Sequence, residues 1–335
     1  MTTRRRFLAA TAAAAVGAPF VIGRARAADK ITVLTGFGLL PNFIEIMNAF
    51  SGGHFTKEGL DASVIGAHGT AVEMQQMIAG QASFGRVAAL DQMNAIAKQH
   101  VPFVSIATIC QGSTFQVISL RDHPIATAAD LKGKTIGIVS VRGSTEMLLD
   151  LILQKAGIAK DMVKRETVGD NPGAVEFIHR GRIDGFIASL NTVVAIERGG
   201  TPIVYWSTDR YVPMPGQVYI TTKPLIEKTP DIALRFCKAM KASVEELLSK
   251  PLAPIFERAK KDFDIPGLAD MAKVVAMQQA SAERLWLVDG KQNLLRNIPA
   301  RWNAGMATLR AAGLVDIQDP ATLYTNRFID AAMKA

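Results

Sequence analysis

The chain has 335 residues, 49% of them hydrophobic and 20% charged, and a formal net charge of +8. Five arginines and no acid lie in residues 1–27; without them lysine plus arginine falls from 38 to 33 against 30 acids, a net charge of +3. No basic block survives in the remainder, which makes nucleic acid a poor partner, and about 308 residues exceed what one core usually serves, so two domains or one very large one are expected.

The chain opens with Thr3-Arg4-Arg5-Arg6-Phe7-Leu8, a weakly apolar run from Ala9 to Ile22, and Ala25-Arg26-Ala27. A charged head, an apolar stretch and a small-x-small site form the pattern of a cleaved secretory signal. The adjacent arginines followed by Phe-Leu are similar to a twin-arginine export signal. The apolar run is too short and too rich in Ala and Gly to span a bilayer core of about 30 Å. The expectation is a periplasmic protein that folds before export, is cleaved near Ala27 and begins at Ala28.

From Lys30 to about Ser207, short β-rich runs alternate with helical patterns, which predicts a three-layer α/β architecture. Strands are expected at 31–34, 62–65, 83–85, 103–109, 115–120, 135–139, 186–188, 203–206 and 218–221, with helices such as 72–79 and 146–156 between them. A weak repeat links Ala71-Val72-Glu73-Met74 and Gly80 with Ala174-Val175-Glu176-Phe177 and Gly181. In each copy a short helix would end at a left-handed glycine before a strand. This is the pattern of two similar lobes, and equally of helix-to-strand turns in any α/β protein. From Pro230 onward helical segments follow one another, broken at Pro251, Pro254, Pro266, Pro299 and Pro320.

Two segments rich in Gly, Pro, Ser or Thr read as crossings between lobes: Cys110-Gln111-Gly112-Ser113-Thr114 and Tyr211-Val212-Pro213-Met214-Pro215-Gly216. If both are, residues 113–214 form one lobe inserted into another made of 28–112 and 215–335. The cleft between such hinged lobes is the default ligand site.

Within that frame, Arg142-Gly143-Ser144-Thr145 delivers two hydroxyls to the start of a helix, where free N–H groups and the positive dipole end favour an anion. Ser144 could also simply cap that helix. Gly69-Thr70 stands similarly before the helix that follows the second strand. Phe37, Phe84, Trp206, Tyr211 and Tyr219 lie near strand ends, where an aromatic ring either stacks on a planar ligand or fills the core. Neither GxGxxG nor a Walker pattern occurs, so no nucleotide cofactor is indicated, and no HExxH or GxSxG motif marks an enzyme. The two cysteines, Cys110 and Cys237, show no metal-binding spacing. An oxidising compartment would permit a bridge between them, but the usual burial of free cysteine favours two separate core thiols.

Several runs in combination, Phe55-Thr56-Lys57-Glu58-Gly59-Leu60-Asp61-Ala62, Gly80-Gln81-Ala82-Ser83-Phe84-Gly85, Asp130-Leu131-Lys132-Gly133-Lys134-Thr135-Ile136-Gly137 and Gly181-Arg182-Ile183-Asp184, resemble the periplasmic solute-binding proteins of nitrate/sulfonate/taurine-type ABC importers. That group includes relatives that bind thiamine-pyrimidine precursors. The resemblance implies a type II-like periplasmic binding fold: two lobes, each a central sheet flanked by helices, with a helical C-terminal tail. It also implies a monomer that is not an enzyme and needs no cofactor or metal, closing on a small ligand and delivering it to an inner-membrane permease with its ATPase. The family's binding positions carry over to Phe37, Gly38, Asn42, Gly69, Thr70, Ala88, Gln111, Ser113, Gly143, Ser144, Thr145, Asn191 and Gln217, with Arg142 and Trp206 added from the residue reading. A small anion suits the helix N-terminus and Arg142 or Arg86; a neutral pyrimidine suits Trp206 and Tyr211. An exported enzyme on the same scaffold is the remaining alternative, although the cysteine cluster of the related fungal pyrimidine synthases is absent.

Overall fold

The computed structural model describes residues 28–334; the export signal expected over residues 1–27 lies outside the described residues. In chain order the strands are β1 (Asp29–Thr35), β2 (Leu60–Gly66), β3 (Phe84–Ala88), β4 (Phe103–Cys110), β5 (Phe115–Leu120), β6 (Thr135–Ile138), β7 (Lys164–Thr167), β8 (Gly185–Ser189), β9 (Ile203–Ser207) and β10 (Gln217–Thr222). They form two five-stranded sheets with the orders β2-β1-β3-β10-β4 and β7-β6-β8-β5-β9. Within each sheet the first three strands are parallel. The fourth, which enters from the other sheet, is antiparallel to both its neighbours.

Burial follows from this arrangement. Strand β4, Phe-Val-Ser-Ile-Ala-Thr-Ile-Cys, ends the first sheet yet is buried at every residue, because the C-terminal region covers it, with bridges from Ser105 to Tyr324 and from Thr108 to Leu295. Edge strand β2 shows the alternation of a half-exposed one. The corresponding edge strand of the second sheet, β7, reads Lys-Arg-Glu-Thr and was not expected from the sequence, because it offers no apolar residue to mark it.

The helices before β10 are α1 (Ile44–Ser51), α2 (His54–Lys57), α3 (Thr70–Ile78), α4 (Ala89–Gln99), α5 (Ser144–Lys155), α6 (Val175–His179) and α7 (Leu190–Arg198). After β10 come α8 (Lys223–Lys228), α9 (Pro230–Ser249), α10 (Leu252–Ala259), α11 (Met271–Ser281), α12 (Pro299–Ala311) and α13 (Arg327–Lys334). The expected helices 72–79 and 146–156 are α3 and α5. Gly80 after α3 and Gly181 after α6 take the left-handed backbone, φ 73° and 65°, and each leads into the third strand of its sheet, β3 and β8. The sequence repeat therefore marks corresponding turns of the two sheets.

The C-terminal helices pack against the elements that precede them. Phe236 of α9 stacks on Phe84 of β3 with ring centroids 3.9 Å apart and meets Tyr219 edge-on. Helices α1, α2, α9 and α10 are tied by one carboxylate: Glu246 accepts from His54 at 2.8 Å, Asn48 at 3.1 Å and Arg258 at 2.9 Å. Both cysteines are free and buried, so the possible bridge is not formed.

The two chain crossings pack against each other. The Gly216 N–H donates to the Cys110 carbonyl at 2.9 Å, and a Cβ on Gly216 would stand 2.0 Å from the Gly112 carbonyl oxygen. Asp209 Oδ2 accepts from the Ser113 N–H and from Arg301 of α12, both at 3.0 Å. Gln111 Nε2 donates to the carbonyls of Asn293 and Arg296 at 2.8 and 2.9 Å. The connections between the sheets are thereby bolted to the C-terminal region.

Two outcomes follow from these contacts. Gly216→Ala drives a methyl into a backbone carbonyl that cannot rotate away, and is expected to lower Tm by about 5 °C or more in a calorimetric scan. Burial alone would raise the Glu246 carboxyl, but its three donors hold it at about 2 instead of the ordinary 4.5. A depressed carboxylate contributes stability above its unfolded pKa and loses it as pH falls through the folded one. Wild type should therefore exceed Glu246→Gln in Tm at pH 7, with the gap shrinking between about pH 4.5 and 2.

Candidate functional site

A cavity of about 560 Å³ opens between the carboxyl ends of the parallel strands of the two sheets, the place where open α/β sheets take ligands. Three bodies of chain wall it. The first contributes Phe37, Asn42 and Phe43 after β1, Arg86 of β3, Cys110 of β4 and Gln217 of β10. The second contributes Phe115, Val139, Asp170 and Asn171, and Ser189 to Thr192 at the start of α7. The third is the C-terminal helix α11 with Lys273, Met277 and Ser281, continued by a π-helical turn, Ala282–Trp286, that presents Leu285 and Trp286.

The lining is rich in rings and side-chain amides. Phe37 is 62% exposed at the tip of its loop, whereas Trp286 is 1% exposed in the wall. Asn42, Asn171, Asn191 and Gln217 each bring a carboxamide, at once donor and acceptor. Asp170 is held by the junction of β8 and α7: Oδ1 accepts from the Ser189 N–H and hydroxyl and from the Thr192 hydroxyl, at 3.0, 3.1 and 2.6 Å. Lys273 and Asp170 are lining charges of opposite sign.

The remaining lining charge, Arg86, is 4% exposed and paired with the wholly buried Glu45, Nε to Oε1 at 3.1 Å. Its Nη1 donates to the Asn42 carbonyl at 2.8 Å, Nη2 meets the Cys110 sulfur at 3.7 Å, and the Phe43 ring lies 4.7 Å from its centre. Burial works against the Arg86 charge, but Glu45 beside it holds its pKa above the ordinary value. Burial likewise pushes up the Glu45 carboxyl; Arg86 and the Tyr219 hydroxyl, which donates to Glu45 at 3.0 Å, pull it back. The Cys110 thiol is pushed by burial up to about 11, far from a reactive thiolate. No group of three or more His, Cys, Asp or Glu capable of holding a metal occurs among the described residues.

Of the residues expected from the sequence, Phe37, Asn42, Asn191 and Gln217 line the cavity. Gly38, Gly69, Thr70 and Ala88 do not line it: Thr70 opens α3, Ala88 ends β3, and the Gly38 and Gly69 N–H groups donate to the carbonyls of Ala67 and Gly36. Gln111 is wholly buried and spends its amide on the C-terminal carbonyls. Ser113 accepts from the Phe115 N–H and the Thr208 hydroxyl. Arg142, Gly143, Ser144 and Thr145 do not line the cavity. Arg142 points outward in the left-handed conformation, φ 59°; Thr145 accepts from the Val139 N–H at 3.0 Å; Ser144 donates to Asp91 of α4 at 3.4 Å. Burial raises the Asp91 carboxyl to about 6, and this Ser144 hydrogen bond partly opposes it. Trp206 is core: its Nε1 donates to the Ile125 carbonyl at 2.9 Å and its ring meets Tyr211 edge-on. In each case the hydroxyl, amide or ring is consumed in holding a turn or filling the interior.

The sequence reading missed Phe43, Asp170, Lys273 and Trp286. A signal for the third wall was present: α11 carries apolar residues all round its circumference, Met271, Val274, Val275, Ala276, Met277 and Ala280, the mark of a helix packed on several sides.

Two sheets of matching strand order, joined by paired crossings around a shared cavity, are a periplasmic-binding-protein fold. The solved aliphatic sulphonate-binding protein SsuA of Escherichia coli superposes with a TM-score of 0.69 at 13% identity, over 90% of this chain and 99% of that one. The chain belongs to the NMT1/THI5-like family, whose model matches residues 40–253. A putative thiamine biosynthesis protein of Haemophilus influenzae is 25% identical over 164 residues, 49% of this chain and about half, 51%, of that protein. The 4-amino-5-hydroxymethyl-2-methylpyrimidine phosphate synthase of Schizosaccharomyces pombe is 24% identical over 67% of each chain. The formylaminopyrimidine-binding protein of Halalkalibacterium halodurans is 24% identical over 61% of this chain and 62% of its own.

Thr145→Ala removes the acceptor for the Val139 N–H at the edge of the cavity. It should cost about 1 kcal/mol, seen as a Tm lowered by about 2–4 °C.

Proposed function

We propose that this chain is the exported, monomeric solute-binding component of an ABC importer, and that its ligand is a small, uncharged, planar heterocycle of the aminopyrimidine class. The lobes 28–112 with 215–335, and 113–214, close on the ligand, which reaches an inner-membrane permease and its ATPase without being chemically changed. The observation that carries the ligand assignment is the cavity lining: Phe37, Phe43, Phe115 and Trp286 offer ring faces, four carboxamides offer paired donors and acceptors, and Arg86 is already neutralised. Rings of this kind stack on a planar ligand, and carboxamides match the alternating donors and acceptors of a heterocycle edge. The names of the pyrimidine-related relatives point the same way. The anion expected at Ser144 and Thr145 is not favoured, because that helix start lies away from the cavity.

Ligand favours the closed form only through contacts made to both lobes at once. Asn42 and Gln217 lie on one side and Asn191 on the other, so a ligand touching all three cross-links the halves.

A thermal-shift series tests this reading. At a hundredfold excess over Kd, 4-amino-5-hydroxymethyl-2-methylpyrimidine or its formylamino analogue should add about 2.7 kcal/mol and raise Tm by several degrees. The ligand should be recovered intact. A shift with methanesulfonate, taurine or nitrate but with neither pyrimidine overturns the assignment, and turnover of the pyrimidine would make the protein an enzyme. Asn191→Ala and Gln217→Ala should each weaken pyrimidine binding about tenfold in titration calorimetry.

A further inference from the structure

A buried ion pair is an expensive way to hold a fold together, since apolar side chains of the same size commonly do as well. Arg86 nonetheless lines the cavity with Glu45 buried against it, their side chains 3% and 0% exposed. The guanidinium is mostly occupied, by the Asn42 carbonyl on Nη1 and the Phe43 ring over its plane. Its Nε lies 3.1 Å from Glu45 Oε1 without forming a hydrogen bond, and its Nη2 has only the weak acceptor of the Cys110 sulfur at 3.7 Å.

The environment of Glu45 is lopsided in a complementary way. Oε1 takes both the Arg86 contact and the Tyr219 hydroxyl, while Oε2 has no hydrogen-bond partner among the described residues. A carboxylate present to organise a polar network would use both oxygens. One that leaves an oxygen idle beside a cation contributes chiefly its charge.

We propose that Glu45 is a specificity-determining residue that sets the charge selectivity of the cavity by cancelling Arg86 and so excluding anions. This rests on the cavity being the ligand site, and deepens that reading. An anion reaching Nη2 would meet a carboxylate directly behind the guanidinium. In a poorly hydrated wall the attraction of one nearly cancels the repulsion of the other. A neutral ligand faces only a dipole and can still accept from Nη2. Discrimination is built from a repulsive element as much as from attractive ones.

The experiment compares wild type, Glu45→Gln and Glu45→Gln/Arg86→Met in thermal melts titrated with methanesulfonate or nitrate at constant ionic strength. Glu45→Gln strips the compensating charge and keeps the shape. It should gain a saturable Tm increase with either anion, at an apparent Kd at least tenfold below any wild-type response. The double variant should lose that response. Equal anion responses in wild type and Glu45→Gln, or none in Glu45→Gln, overturn the proposal. Should Glu45→Gln fail to fold without anion, recovery in methanesulfonate supports the proposal and failure to recover counts against it. In either event a wild-type shift with these anions at an apparent Kd within tenfold of the Glu45→Gln value overturns it. The anion response of Glu45→Gln reads the charge role even if no pyrimidine binds wild type, so failure of the pyrimidine reading is told apart from failure of this one.

Discussion

The contact on which the rest of the structure depends is the one between the two chain crossings, where Gly216 lies against Gly112 with no room for a Cβ. Each sheet borrows its fourth strand from a chain arriving from the other, so the crossings enforce both the strand orders and the separation of the lobes. Asp209 adds an electrostatic clamp by joining the Ser113 N–H of one crossing to Arg301 of the C-terminal region. Burial pushes the Asp209 carboxyl up, and Arg301 pulls it back. The link between the two sheets is therefore a junction of three packed segments rather than a pair of free linkers.

Much of the scaffold was legible because its signals are local and redundant. Apolar strands such as β4 and β5 cannot be mistaken for surface, and the repeated helix–Gly–strand turns at Gly80 and Gly181 announce their backbone conformation. Strand β7 escaped because pairing with β6, rather than side-chain burial, makes it a strand. The site was harder to read for a related reason. Ser113, Thr145 and Gln111 look like ligand groups in a sequence, since a hydroxyl or amide near a glycine is what a ligand needs. A tight turn needs the same groups to satisfy its own N–H and C=O, and here the turns take them. What remained for the cavity was Phe37, Asn42, Asn191 and Gln217, side chains that no backbone group claims.

Arg86 shows the same principle in electrostatic form. From the sequence it is one more cation near a cleft, and it favours an anion. Its partner Glu45 lies 41 positions away on α1, at a separation that no local pattern reveals, and offsets the charge on which that inference rests. Charge at a binding site is a property of the folded sum, and a single buried acid is enough to change its sign of preference.

The third wall of the cavity has a consequence for how specificity is inherited. Residues Lys273 to Trp286 lie beyond residue 253, where the family match ends, and Arg284 reaches from this segment to the Tyr205 hydroxyl at 2.9 Å on the second lobe. Part of the cavity wall is thus supplied by a stretch of chain outside the matched family region. A chimera exchanging only the two sheets would carry the rings of Phe43 and Phe115 and leave Trp286 behind, so the smallest transplantable recognition unit runs through the helical tail.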